Sequence, residues 1–475
     1  MQIETIMIEY IIAVPEIALL LGACLVLLTG AFTSAQSHWT FVLTQAVLLA
    51  TLYLGVQPFT GQTVEMFNDF YITDDLSVLA KSSMCAFMIV VMLYSRGFIN
   101  IHNFPRGEYY SLSLFSLLGM MLISSANHLL MVYLGLELLS LSMYALVAMN
   151  RDDSVSSEAA IKYFVLGAIA SGFLLYGISL IYGLTGSLYL SELSLDNDMG
   201  IGIIAAVIFV VIGLAFKLGA VPFHMWLPDV YQGAPLPVTL LIASVPKIAG
   251  LLLALRLLMD GLQFMHEYWQ QSLIVLAVLS LAAGNIIAIA QTNFRRMLGY
   301  STIGHVGYIL LGLLIGNESG YSAALFYTLT YALMSSAVFG ILLCAERMNY
   351  RLEDLDDLKG LSKAYPWLAF LMLLLMFSMA GIPMTVGFYA KLNVLQALVS
   401  DGGVTLAIVA VVSSVIGAFY YLRVIKLMYF EEGAEVQRVG MPATHIAVLS
   451  IHSLSVVGLF LFPQMLIDLC KHALG

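Results

Sequence analysis

Charge is scarce in this sequence. Asp, Glu, Lys and Arg make up 10% of its 475 residues, against about 25% in a soluble domain. With 61% hydrophobic residues beside them, that scarcity excludes a water-soluble globular protein and points to an integral membrane protein. Cysteine is scarcer still. Cys24, Cys85, Cys344 and Cys470 stand far apart with no C-x-x-C spacing, so neither an iron-sulfur cluster nor a zinc site has its usual ligand set. Phosphate-cradling loops of the G-x-G-x-x-G and G-x-x-x-x-G-K-S/T kinds are missing, and with them any visible nucleotide site. Electrons, if the chain belongs to a redox machine, travel elsewhere. The first ten residues, MQIETIMIEY, hold two Glu and no Lys or Arg, so a positive leader is absent and the first span is expected to stay as an anchor. The net charge of −10 reflects acidic loops and implies nothing about nucleic acid.

What the chain has in plenty is apolar runs of spanning length. They fall at 9–30, 39–57, 72–97, 108–125, 127–149, 158–185, 200–222, 236–259, 271–292, 300–316, 321–345, 366–399, 403–428 and 443–468, which predicts an all-α polytopic protein of about fourteen spans. Basic residues set the orientation. Arg96, Arg106, Arg151, Arg295, Arg296, Arg347, Arg351, Lys359, Lys363, Arg423, Lys426 and Arg438 fall on one side, and only Arg256 and Lys471 on the other. Both termini are therefore expected outside. The outer loops agree, with Glu65 and Asp69 in one and Glu192, Asp196 and Asp198 in another. The largest hydrophilic stretch, 346–363, repeats Leu352, Leu355, Leu358 and Leu361 and reads as a short amphipathic helix on the inner surface.

Five lysines, Lys81, Lys162, Lys217, Lys247 and Lys391, stand inside the predicted spans. Each central lysine costs roughly 2.5–3.5 kcal/mol to insert, so the helices must pack around something polar, and a path for protons or ions is the first candidate. Glu137, near the middle of the fifth span, is a natural partner for Lys217. Burial disfavours the charged form of either residue alone, and each restores it in the other; a static pair that fixes packing is the alternative. Lys247 is central in the eighth span, far from water, and can release and rebind a proton or serve packing alone. Lys162 follows Glu158 by four residues, a spacing that also suits a surface pair. Lys81, near Asp74 and Asp75, reads as structural. His224 lies seven residues after Lys217 and His305 opens the tenth span; each is a relay candidate or a hydrogen-bonded core residue.

Two spans carry a proline flanked by small residues, Pro222 in FKLGAVPFHMWLPD and Pro383 in SMAGIPMTVGFYAK. Each should break its helix, and broken backbone survives at membrane depth only where protein or a cavity surrounds it. Lys217 stands five residues before one break and Lys391 eight after the other. The breaks lie five spans apart, in spans 7 and 12, and an odd offset reverses direction across the membrane. Spans 4–8 (108–259) and 9–13 (271–428) therefore read as two inverted repeats within one membrane domain.

Five segments, YLGLELLSLSMYAL, SSEAAIKYFVLGAIASGFLLYG, GLAFKLGAVPFHMWLPDVYQGAP, QTNFRRMLGYSTIGHVGYIL and MAGIPMTVGFYAKLNVLQ, resemble the antiporter-like subunit N family of bacterial proton-translocating NADH-quinone oxidoreductase, respiratory complex I. The resemblance covers essentially the whole chain. It implies a proton channel in a membrane arm, with Glu137 and Lys217 as the intake pair, Lys247 as the central relay, Lys391 as the exit group, and Lys162, His224 and His305 along a hydrated axis. It further implies other membrane-arm subunits as partners, NADH and quinone reached only through the assembly, FMN and iron-sulfur clusters in those partners, no cofactor or metal in this chain, and the bacterial inner membrane as its place. Lys391, where M-type relatives carry an acid, favours the N type. An Mrp-type cation/proton antiporter subunit is the competing expectation.

Overall fold

The computed structural model describes residues 12–32, 38–56, 63–102, 104–193, 200–348, 350–433, 440 and 443–475. Asp196, Asp198, Arg438 and the first ten residues lie outside them. Helices dominate because a lipid-embedded segment must satisfy its own N–H and C=O groups. In chain order they are α1 (Val14–Phe32), α2 (Trp39–Val56), α3 (Asp75–Ile101), α4 (Arg106–Ser124), α5 (Leu129–Val147), α6 (Ser154–Thr185), α7 (Gly200–Leu218), α8 (Trp226–Gly233), α9 (Leu236–Ala243) and α10 (Val245–Ala254). They continue as α11 (His266–Ile289), α12 (Phe294–Leu313), α13 (Glu318–Arg347), α14 (Leu361–Ala364), α15 (Pro366–Ala380), α16 (Val386–Ser400), α17 (Val404–Phe430), α18 (Ala443–Leu461) and α19 (Pro463–His472). Within the described residues, each predicted run falls on one helix or a consecutive set. Among the described residues, eleven helical stretches are long and apolar enough to cross a membrane, and the chain is a multi-pass membrane protein.

Two stretches form the axis of the bundle. Leu236–Gly261 and Glu318–Arg347 are each 94% buried over their most apolar window, whereas α1, α17 and α18 bury a third or less and turn apolar faces outward. Small residues bring the inner helices close, as membrane packing requires. A Cβ on Gly284 of α11 would sit 2.5 Å from the Gly304 amide of α12.

Both prolines break their helices. α7 ends at Leu218 and α8 resumes at Trp226; α15 ends at Ala380 and α16 resumes at Val386. In each case the residue after the helix is a glycine at positive φ, Gly219 at +86° and Gly381 at +80°, the left-handed cap that a side chain disfavours. A third break was not expected. Ser244, at φ −116° and ψ −83°, separates α9 from α10 just before Pro246 and Lys247, and the run closes in a π turn over Leu255–Gly261.

Other expectations need correction. Residues 346–363 do not form one amphipathic helix: a 3-10 turn (Leu355–Leu358) and α14 stand apart. All four leucines are nevertheless buried, because three-residue spacing also serves a tighter, interrupted path. Within the loop before α3, β1 (Val64–Met66) pairs antiparallel with β2 (Tyr71–Thr73). The last run splits at Phe462 into α18 and α19.

Two buried cations are structural. Lys81 does not pair with Asp74 or Asp75; its Nζ lies 2.6 Å from Glu16 Oε1 and donates to the Tyr71 hydroxyl at 2.7 Å. Asp74 instead accepts from Arg256 at 2.8 Å through both oxygens, while Arg256 also holds Asp260 and the Ser124 carbonyl. Arg256 is 1% exposed, so it is a buried clamp between α3, α4 and the π turn rather than an outer-loop charge.

Candidate functional site

A helix that stops inside a membrane leaves its last carbonyls without intrahelical partners and carries partial negative charge there. At both breaks a lysine, buried at the first and half-buried at the second, uses that end. Lys247 Nζ, on α10, donates to the Leu218 carbonyl at 3.0 Å; Lys391 Nζ, on α16, donates to the Ala380 carbonyl at 2.8 Å and to Ser414 Oγ of α17 at 2.9 Å. Leu218 and Ala380 occupy the same place, the residue before the left-handed glycine. The same device appears twice. The break in α7–α8 thus serves Lys247, from the following span, and not the Lys217 that precedes it in sequence.

Lys217 turns toward α5. Its Nζ donates to Ser140 Oγ at 2.6 Å, and Ser140 in turn donates to the Leu136 carbonyl. Lys217 and Lys247 share a cavity of about 30 Å³ with Ser140, Tyr163 and Trp226 on its wall, room for one or two waters. Both ammonium groups also face aromatic rings, Lys217 at 5.9 Å from the Tyr144 centroid and Lys247 at 5.6 Å from Trp226.

The expected direct pair between Glu137 and Lys217 is not formed. Glu137 sits in a helical stripe of α5, Leu130, Leu134, Leu141 and Ala145, whose other members are exposed, so it points toward the outer face of the bundle. Its Oε1 is nevertheless buried with no hydrogen-bond partner. The reason is register: Ser140, one turn on, occupies the inward position that reaches Lys217.

His305 lies within α12, not at its start, because that helix begins at Phe294. Its Nδ1 is 2.8 Å from the Tyr327 hydroxyl and its Nε2 2.9 Å from that of Tyr421; Tyr421 also bonds Ser301. His305, Lys391, Tyr308, Ser414 and Tyr421 line a second cavity, of about 10 Å³. Lys162 and His224 join neither cavity. Lys162 is exposed and held by Glu158 and Asp229, each at 2.7 Å, with Arg296 on the far side of Asp229. His224 lies in the loop between α7 and α8, half-buried, 6.4 Å from the Tyr300 ring, with Nδ1 unpartnered. The break carries it off the face it would share with Lys217.

Sequence reading missed Ser140, Ser414, Tyr327, Tyr421 and the two helix-end carbonyls. A signal existed for the carbonyls alone, since a glycine before an intramembrane proline marks a helix end.

A polytopic helix bundle whose α7–α8 and α15–α16 interruptions each seat a lysine with no carboxylate partner on a helix end defines an antiporter-like membrane protein. Residues 126–417 match the family described as NADH:quinone oxidoreductase/Mrp antiporter, transmembrane. The NADH-quinone oxidoreductase subunit N of Thioalkalivibrio sulfidiphilus is 50% identical over 473 residues, 98% of either chain. Among solved structures, a chain of respiratory complex I from Thermus thermophilus with bound aureothin aligns over 96% of this chain and 98% of its own, at TM-score 0.82 and 30% identity. A chain of the Mrp complex from Dietzia sp. aligns over 96% of both at TM-score 0.83 and 22% identity, a likeness of fold alone. The chain belongs to the NADH-quinone oxidoreductase subunit N family.

Proposed function

We propose that this chain translocates protons as a membrane-arm subunit of a bacterial NADH-quinone oxidoreductase, while electrons pass from NADH to quinone in other subunits. The observation that carries the reading is a contrast among the cations inside the bundle. Lys81 and Arg256 are locked by carboxylates, whereas Lys217, Lys247 and Lys391 are held by hydroxyl and carbonyl oxygens. An ammonium held by neutral dipoles can give up its proton without stranding a buried carboxylate; an ion-paired one cannot. Lys217 receives the proton on the Ser140 side, Lys247 relays it, and Lys391 with His305 releases it. Glu137, one turn before the Ser140 that Lys217 contacts, biases Lys217, while Lys162 and His224, which line neither cavity, stand outside this relay.

The energies match the task. Moving one charge through about 150 mV takes about 3.5 kcal/mol, and a hydrogen bond to a charged group is worth about 1.5–3 kcal/mol. Exchanging one or two lysine contacts is therefore comparable with the work per proton.

Neighbouring subunits have a defined job in this reading. Pro222, Met225, Pro383 and Met384 of the two interrupted segments are exposed on the isolated chain, and non-helical backbone is not stable against acyl tails. Partner subunits of the membrane arm cover these breaks and the outward Glu137. The inverted repeats 108–259 and 271–428, the inner-membrane location with both termini on the periplasmic side, FMN and iron-sulfur clusters in partners, and the lack of a redox site here belong to the same proposal. The Mrp-type alternative rests on the breadth of the family description and on likeness of fold, and is the weaker reading.

The test is Lys247→Ala in the whole complex. NADH oxidation by an artificial acceptor should persist in assembled enzyme, while quinone-linked oxidation and proton pumping fall together. Normal pumping by that assembled variant ends the proposal.

A further inference from the structure

We propose that Trp226 is a positioning residue for Lys247, its indole keeping the ammonium on the end of α7, and that the Lys162, Asp229 and Arg296 cluster acts on the relay from outside by fixing α8, the helix that carries the indole. This rests on the proton-translocating reading above and adds to it how the central lysine is held in place.

The last carbonyls of α7 lack the donors that a further turn of helix would supply, and they are taken up by different partners. The Gly219 amide is shared between the Ala215 and Phe216 carbonyls, at 2.9 and 3.1 Å. Trp226 Nε1 donates to Phe216 at 3.0 Å, and Lys247 Nζ donates to Leu218, also at 3.0 Å. The residue that closes the helix end therefore lies beside the ammonium: the Trp226 ring centroid is 5.6 Å from Lys247 Nζ, within reach of a cation–π contact. The ring is not free to turn away. It is 3% exposed, and Tyr163 stacks on it at 4.6 Å and 16°. Both rings line the cavity that Lys217 and Lys247 share. An indole face attracts an ammonium more weakly than a buried carboxylate does, so it holds Lys247 at the helix end without trapping the proton.

Trp226 opens α8, which is eight residues long, about 12 Å. Asp229, one turn on, accepts from Lys162 of α6 at 2.7 Å and from Arg296 of α12. Arg296 also reaches Gln232 Oε1 at 3.3 Å, and Arg295 donates to the Ala234 carbonyl, just past the helix, at 3.1 Å. The far part of α8 is thus tied to α6 and α12, and its first residue to the end of α7. A short helix fixed in this way is a strut, and a shift of the cluster is passed to the indole and from the indole to the ammonium. Lys162 is 43% exposed, and an exposed ion pair adds little stability; its contribution is to set where α8 lies. That gives a lysine which lines neither cavity a purpose in proton transfer.

The experiment uses the whole complex in membrane vesicles, with NADH oxidation by an artificial acceptor as the measure of assembled enzyme. Mono-, di- and trifluorinated tryptophan, placed at Trp226 by codon suppression, keep the shape and the N–H while draining the negative face of the ring. Quinone-linked NADH oxidation and proton pumping should fall together, step by step, by about threefold or more at the trifluorinated ring; a packing role would leave them flat. Trp226→Leu, which removes both the ring and the N–H, should lower them by about tenfold. Asp229→Asn should lower them by about threefold on its own and add little to Trp226→Leu, because the two changes act on one path. A flat fluorination series beside an inactive Lys247→Ala overturns the role of Trp226 and leaves the channel standing; a Lys247→Ala complex that pumps overturns both. Equal slowing by Asp229→Asn with and without Trp226→Leu refutes the strut. Should Trp226→Leu fail to assemble, the trifluorinated ring takes its place in that comparison.

Discussion

Lys81→Met separates a lysine that holds the fold from one that carries protons. Lys81 Nζ lies 2.6 Å from Glu16 Oε1, and the Tyr71 hydroxyl completes the triad. Both charged residues are buried, Glu16 at 6% and Lys81 at 4% exposure. Removing the cation strands the carboxylate, which costs about 3–5 kcal/mol. Tyr71 still donates to Glu16 at 2.8 Å and recovers about 1 kcal/mol. The net loss, about 2–4 kcal/mol, falls on the docking of α1 and the hairpin against α3. Adding Glu16→Gln removes the stranded charge and should recover at least half of that loss, a coupling typical of residues in direct contact. The assay is the temperature at which assembled complex is lost from detergent extracts, read with proton pumping per assembled complex. The single variant should assemble poorly and melt early, the double variant should recover, and pumping per complex should stay at the wild-type value in both. A Lys81→Met complex that is as stable as wild type yet pumps less would place Lys81 in the proton path and refute the distinction between ion-paired and dipole-held lysines.

Lys247→Arg keeps the positive charge but cannot release its proton, so assembled complex should pump at less than about a tenth of the wild-type rate; retained pumping would show that charge alone suffices. Gly381→Ala places a Cβ at φ +80°, 2.8 Å from Lys391 Cδ, a strain of about 1–2 kcal/mol. It should displace Lys391 from the Ala380 carbonyl, lowering pumping with assembly intact. Arg256→Met leaves Asp74 and Asp260, both half-buried, without their shared cation and should destabilise assembly by about 2–4 kcal/mol, measured as the yield of intact complex, with normal pumping in whatever assembles. Glu137→Gln removes the carboxylate that biases Lys217 and should slow coupled NADH oxidation without loss of assembly.

The spans were legible because hydrocarbon imposes one local rule, a run of apolar residues long enough to cross. The breaks at Pro222 and Pro383 were legible because proline acts on its own turn of helix. The break at Ser244 was not, although Pro246 stands beside it. A proline in the first turn of a helix is as compatible with a fresh start as with continuation, and only the packing of α9 and α10 chose. The hairpin before α3 escaped for a similar reason: three-residue strands carry too little periodicity to register.

At the site, residue type was legible and partnership was not. Lysine within an apolar run announces a polar purpose wherever its side chain points. Whether Lys81 met Asp74, seven residues away, or Glu16, sixty-five residues away, depended on how α1 lies against α3. Whether Lys217 met Glu137 or Ser140 depended on a rotation of α5 by about 60° about its own axis, the angle between residues three apart. The sequence by itself determined a membrane bundle, its two principal interruptions and the lysines inside it, because those follow from short-range chemistry. Only the tertiary structure decided which ammonium groups rest on carboxylates and which on helix ends, since that choice is made between segments distant in the chain and brought together by packing.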